Sequence, residues 1–441
     1  MDLSNTRNTL IRPIGSAMHQ LDLALTVMGL AVVTIALLSA AIHRNPLSEP
    51  MLAMAVGVAV GPYGFGWLEL SRWGDETMIL EQASRLTLAI GLMGVALRLR
   101  RESVRRLLRP VGLLLTAGML GMWLLSSLAA LWILQIPLWA ALLLGAIVTP
   151  TDPVVASAIV TGNFADRHLP LRLRDGLSFE SGANDGLAYL LVMLPVLMLG
   201  HGPTAALSTW LLQSFLIGVI FAALIGWAIG FGAARLLRLA ERYALVETTS
   251  LLGYTLAFSL LSLGAASLLN ADAIVSVFVA GLTFNLCSER ADEHEEEKIQ
   301  EGVAKLFALP MFVLFGIGLP FDAWAALGWP LAGLAAAVLL VRRAPVIAAL
   351  FPFIRGYWKG KDACFLGWFA PIGIAAIYYA SLAEKHTGDP LYWHVASALV
   401  FVSIIAHGMT AGPLTRRYSL GERASDARKD AGIHSANTPD E

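Results

Sequence analysis

The chain has 441 residues, of which 57% are hydrophobic and 14% charged, with a mean hydropathy of +0.67 and a formal net charge of -1. Globular proteins carry about 25% charged residues, so this composition excludes a soluble single-core protein and describes a polytopic, all-α membrane protein. The small net charge hides an uneven spread of Lys and Arg between loops and implies no nucleic-acid partner, while Cys287 and Cys364 have neither metal nor redox spacing.

Along the chain, apolar segments of spanning length fall at about 21–42, 50–70, 79–99, 111–134, 137–161, 175–200, 209–236, 245–269, 270–287, 304–322, 327–351, 361–384 and 392–416, thirteen in all. The first follows Arg7 and Arg12 and exceeds the apolar run of a secretory leader, so it reads as a crossing helix. An odd count puts the termini on opposite sides. Lys and Arg concentrate in the loops after odd-numbered segments, most densely in RLRRESVRRLLR (Arg98–Arg109). That bias predicts an outside N-terminus and a cytoplasmic C-terminus in the cell inner membrane.

In the second segment, the glycines of GVAVGPYGFG (Gly57–Gly66) predict close helix packing and an outer turn. In the third, Glu81 and Arg85 stand four apart: they form a self-satisfying pair, or Glu81 contributes to an ion pathway. Asn270 and Asp272 predict a turn between segments 8 and 9. SERADEHEEEKIQ (Ser288–Gln300) reads as a solvated loop, or with His294 as a pH-sensing, cation-collecting mouth. Asp322 marks the outer end of the tenth segment and His407 a packing contact, while the polar tail beyond Tyr418 is expected to be disordered.

The chemistry concentrates between Thr149 and Ala188, where TPTDPVVASAIVTG and LSFESGANDGLAYLLV place Asp152, Glu180 and Asp185 inside apolar segments. A carboxylate at bilayer depth costs about 2.5 to 3.5 kcal/mol or more, so such groups face a cavity or a partner. Pro150 and Pro153 bracket Thr151 and Asp152 and predict an unwound middle, which a membrane tolerates only where it lines a cavity or is buried in protein. On a helix through Phe179–Leu190, Ser181 shares a face with Asp185, and Glu180 with Asn184. Such oxygen donors suit a hard monovalent cation or a proton.

A second interruption, Pro371 and Gly373 in DACFLGWFAPIGIAAIYYASL (Asp362–Leu382), comes seven segments later and crosses in the opposite sense. Together they predict inverted repeats, segments 4–6 and 11–13, whose broken helices cross at a shared centre. In VLLVRRAPVIAAL, Arg342 is expected to turn inward to Glu180 and Arg343 to reach the interface. Two rival classes have weaker support. A channel-like potassium efflux protein would carry a filter such as TVGYG, and an intramembrane metallohydrolase would carry HExxH; neither run occurs.

TPTDP followed by FESGAND, with Gly61-Pro62, FVAGLTFN (Phe278–Asn285), FALPMFVLFGIGLPFD (Phe307–Asp322) and the arginine before RAPV, resembles the NhaP-type sodium/proton antiporters of the cation:proton antiporter superfamily over residues 20–416. The resemblance implies a homodimer with scaffold helices at 21–108 and 209–322 and a mobile ion-transport core at 111–200 and 327–416. Residues 1–20 would be an extracytoplasmic tail and 417–441 a short cytoplasmic one. It implies a transporter, not an enzyme, that needs no cofactor and exchanges Na+, Li+ or K+ for protons by alternating access. Asp185 resembles the carboxylate that binds cation or proton in turn, and Asn184 the amide that accompanies electroneutral exchange. Thr151, Asp152 and Ser181, and more loosely Glu81, resemble the rest of the cation shell, with Na+ on Asp185, Ser181 and Thr151. Glu180 and Arg342 resemble the structural ion pair; membrane lipid and a second copy are the remaining partners. The chain departs from many members at Ala370-Pro371-Ile372-Gly373, where they carry an arginine.

Overall fold

The structure, a computed structural model, describes residues 4–45, 47–245, 251–288 and 294–436. Among these, every regular element is helical. The helices are α1 Ser4–Arg44, α2 Glu49–Val60, α3 Glu76–Arg98, α4 Arg101–Leu113, α5 Met119–Leu134, α6 Leu138–Ile147, α7 Ser157–Val160, α8 Gly162–His168, α9 Leu171–Gly200 and α10 Pro203–Thr209. There follow α11 Ala222–Arg242, α12 Leu251–Leu268, α13 Ala273–Cys287, α14 His294–Ile317, α15 Phe321–Leu327, α16 Trp329–Val341, α17 Ala344–Ile354, α18 Gly360–Trp368, α19 Ile374–Thr387 and α20 Leu391–Ala436. Wider π-helical turns at Leu114–Gly118 and Trp210–Phe221 make α4 and α5, and α10 and α11, continuous rods.

By length and composition, Gln20–Ile42, Glu76–Arg98, Arg101–Leu134, Leu171–Gly200, Pro203–Arg242, Gln300–Ile317, Trp329–Ile354 and Leu391–Gly421 can each cross a membrane. Glu49–Val60, Leu138–Ile147, Gly253–Leu268 and Ala273–Cys287 are apolar but shorter. The short helices end where the sequence breaks them. Gly61-Pro62 stops α2, and Phe65 N–H and Leu68 N–H fold back onto Ala59 and Val60 carbonyls at 2.7 and 3.0 Å, so the expected 50–70 segment is helical only to Val60. Asn270 (φ 56°) turns the chain, and the Asp272 carboxylate then caps α13 by accepting Val275 N–H at 2.8 Å.

Small residues set the closest helix packing. A side chain on Gly57 would overlap the Val313 carbonyl of α14, and one on Gly316 the Met54 carbonyl of α2, so these backbones meet directly. A large apolar cluster joins α5, α6, α9, α14, α16 and α19, and a smaller one, including Ala89, Phe258, Val277 and Phe284, joins α3, α11, α12 and α13. The outside is apolar as well: Leu37, Trp132 and Trp329 are largely exposed, as suits side chains facing lipid tails.

Two expectations change at the helix ends. His294–Gln300 is the start of α14 and not a loop, held by a Glu301–Lys305 pair one turn on (3.2 Å); residues 289–293 lie outside the described residues. The tail beyond Tyr418 continues α20 to Ala436, since its Ala, Glu, Arg and Lys are good helix formers and prolong a helix that already has its nucleus. Asp322 accepts the Tyr63 hydroxyl at 2.9 Å and His407 packs between Ser403 and Trp368, the structural roles expected of them.

Candidate functional site

The two predicted interruptions meet. α6 stops at Ile147, where the Thr149 hydroxyl bonds back to the Gly145 carbonyl at 2.7 Å; α18 stops at Trp368 and α19 resumes at Ile374. Between them Asp152 N–H donates to Pro371 O at 2.8 Å. The Asp152 carboxylate also serves both strands of the crossing. Its Oδ1 accepts Val154 N–H (2.6 Å) and Val155 N–H (3.1 Å), and its Oδ2 accepts Ile374 N–H (2.5 Å). Gly373 gives α19 no side-chain cap of its own, so Asp152 is that cap.

Arg342 answers Asp152 at the opposite polarity. Its guanidinium, 3% exposed, donates from Nη1 to the carbonyls of Val148, Thr149 and Pro150 and from Nη2 to Ala370 O. One carboxylate therefore takes freed N–H groups of both broken helices, and one guanidinium takes their freed carbonyls. In a bilayer each such group left unpaired costs several kcal/mol, so the crossing depends on these two side chains.

The carboxylate–amide helix α9 packs its polar face onto this crossing. Asn184 Nδ2 donates to Thr151 Oγ1 at 2.8 Å, Thr151 N–H donates to Asn184 Oδ1 at 3.2 Å, and the Thr151 and Ser181 hydroxyls lie 3.0 Å apart. Ser181 and Asn184, three residues apart, thus converge on Thr151, where the sequence pairs residues four apart. Asp185 is 0% exposed, and neither of its carboxylate oxygens has a hydrogen-bond partner among the described residues. At its main chain, the Tyr379 hydroxyl donates to Asp185 O at 2.5 Å.

The ion pair is corrected. Glu180 is gripped by Arg343, not Arg342: Nη1 to Oε1 and Nη2 to Oε2 are both 2.6 Å, with Arg343 Nε on Leu366 O at 2.6 Å. Arg342 closes α16 and Arg343 opens α17, so the two arginines sit in the break between these helices and point to different partners, Arg343 to α9. The other faces the broken-helix carbonyls, acceptors that a search for carboxylates overlooks. Of the two readings of Glu81, the pair with Arg85 does not form: Glu81 bonds Lys385 instead (2.9 and 3.2 Å). Asp152 joins the site with both oxygens committed to backbone N–H groups, so of the two carboxylates the one left open is Asp185. Tyr379 and Lys385 escaped the sequence reading because a tyrosine and a helix-end lysine carry no spacing signal.

Gly373 is fixed by close approach, since a Cβ there would overlap the Asp152 carboxylate. We expect Gly373→Ala to push Asp152 off Ile374 N–H and to lower stability by about 1.5 to 3 kcal/mol, the scale of losing one charged hydrogen bond. A melting curve in detergent checks this; an unchanged midpoint would show that the contact is dispensable.

An all-helical membrane protein whose two interrupted helices cross beside a buried, unbonded carboxylate has the architecture of a secondary transporter. Comparison with known proteins gives the family: the sodium/hydrogen exchanger transmembrane family matches residues 30–417, and the chain belongs to it. It is 31% identical over 395 residues to Na(+)/H(+) antiporter 2 of Zygosaccharomyces rouxii, which covers 82% of this chain and 48% of that protein. It is 29% identical over 409 residues to a Saccharomyces cerevisiae Na(+)/H(+) antiporter (84% and 41%) and 26% identical over 406 residues to the K(+)/H(+) antiporter NhaP of Alkalimonas amylolytica (90% and 67%). The chain thus spans less than half the length of the two yeast relatives. Its fold matches the sodium proton antiporter MjNhaP1 of Methanocaldococcus jannaschii with a TM-score of 0.70 at 18% identity, over 91% of this chain and 99% of that one.

Proposed function

We propose that this chain exchanges a monovalent cation for protons across the inner membrane, 1:1 and without net charge movement, with Asp185 as the shared carboxylate. The observation that carries the reading is Asp185 itself, fully buried with both oxygens unbonded among the described residues. One carboxylate neutralises a proton or a cation but not both at once, so each displaces the other, and only the neutral, occupied site crosses the low-dielectric barrier. Ser181 lies one helical turn before Asp185 and its hydroxyl meets that of Thr151 at 3.0 Å, two neutral oxygen donors, and Asn184 holds Thr151 without adding charge. Asp152, Arg342 and the Glu180–Arg343 pair keep the crossing together while the site changes occupant.

In this reading the chain crosses thirteen times, N-terminus outside and C-terminus cytoplasmic. Helices of 111–200 and 327–416 move against those of 21–108 and 209–322, which also form a homodimer. Sodium is the first cation to try, since the yeast relatives bear Na(+)/H(+) names, and potassium the next, from the bacterial ones.

The test is dequenching of a trapped pH dye in proteoliposomes given sodium, lithium and potassium in turn, with and without a clamped membrane potential. Cation-specific proton movement that ignores the potential is expected; no response to any of the three would remove the assignment. Asn184→Asp places a second carboxylate beside Asp185. It is expected to make transport carry current and respond to an imposed potential of 100 mV, worth about 2.3 kcal/mol per charge moved. A variant that stays indifferent to potential counts against the amide as the source of neutrality.

A further inference from the structure

We propose that Lys385 and Glu81 form a latch that closes one face of the site, alternating with a second tie, Thr161 to Glu301, on the other face. The inference rests on the exchange reading above, and it concerns how access is switched. α19 begins at the interruption and carries Tyr379, which is bonded to Asp185, so moving α19 moves the site. Six residues beyond Tyr379, about 9 Å along the helix, Lys385 reaches across to α3. Its Nζ lies 2.9 and 3.2 Å from the Glu81 oxygens, and the neighbouring Glu384 accepts the Thr77 hydroxyl at 3.2 Å. These bonds join the same two helices at the end farthest from the crossing.

The pair is asymmetric. The Glu81 side chain is 6% exposed and that of Lys385 51%. An exposed ion pair contributes little, but a buried carboxylate that loses its cation is left uncompensated, so the closed arrangement depends on Lys385 being in place. Half of the Lys385 side chain stays exposed while its partner is inside, so parting them means withdrawing α19 from α3.

The opposite face has its own tie. Thr161, between α7 and α8 just past the first interruption, donates to Glu301 Oε1 at 3.0 Å. Lys305 then bonds both Glu301 and Glu49, each at 3.2 Å, fastening α14 to α2. Each broken helix is therefore tied to the α2, α3 and α14 side, one at each face, with the 0%-exposed Asp185 between. A site that opens to alternate faces must release one tie while it keeps the other.

The test uses the full chain with Cys287 and Cys364 replaced by Ser and one reporter, Ser381→Cys, one turn before Lys385 and fully buried in the closed arrangement. A membrane-impermeant maleimide is added from either side of oriented vesicles. Lys385→Gln is expected to raise labelling from the α19-end face about fivefold, the population shift that follows loss of a modest pair. Thr161→Ala should lower it from that face, because it favours opening on the other. The reversed pair Glu81→Lys with Lys385→Glu, and the conservative Lys385→Arg, should return the parent rate. Unchanged labelling in Lys385→Gln, equal increases from both faces, or no recovery in the reversed pair would overturn the latch. Labelling needs no transported ion: the expected pattern alongside exchange that survives Asp185→Asn would overturn the exchange reading alone, and the converse would overturn the latch alone.

Discussion

Replacing Asp185 by Asn is expected to abolish cation-driven proton movement while leaving the fold intact. In the proposed exchange the cation would lose a counter-charge that no described residue engages. With a charge at bilayer depth costing several kcal/mol, the rate should fall about a hundredfold or more. Stability should move little, by about 1 kcal/mol or less, because neither Asp185 oxygen has a protein hydrogen bond to lose among the described residues. The dye assay and a melting curve in detergent read the two halves separately. Exchange that survives would remove Asp185 from its proposed role, and a variant that unfolds would make its role structural.

The second large effect falls five residues earlier on the same helix and has the opposite character. Glu180→Gln would leave Arg343 buried, 2% exposed, without its counter-ion, and we expect a loss of about 3 to 5 kcal/mol of stability with poor recovery of folded protein. Removing both charges is expected to be milder. Glu180→Gln with Arg343→Met should melt above either single variant, because an unpaired buried charge costs more than a missing pair. Additive losses in the double variant would show that the two side chains act independently. Arg343→Lys is not a conservative change, since the two 2.6 Å bonds use the parallel N–H groups of a planar guanidinium. Two carboxylates on one helix thus separate by what surrounds them: Glu180 is spent on holding α9 to α17, and Asp185 is left open.

Much of this was legible in the amino-acid order. The low share of charge and the long apolar runs determine an all-helical membrane protein, because a backbone in lipid must satisfy its own hydrogen bonds. Pro150, Pro153, Pro371 and Gly373 determine where two helices break, since proline removes donors and glycine has no side chain to obstruct a close approach. The positions of Glu180 and Asp185 on one helix follow from local periodicity alone. Tertiary structure decided the rest. The sequence reads Arg342 and Arg343 within one apolar run, but the fold breaks the helix at this pair, and that break assigns Glu180 to Arg343 and the broken-helix carbonyls to Arg342. The fold also commits Asp152 to the start of α19, 222 positions away, and brings Lys385 to Glu81 across 304. Such choices depend on which acceptor a donor meets once distant segments pack, and the acceptors that won, freed carbonyls and a carboxylate on another helix, exist as partners only in the folded chain.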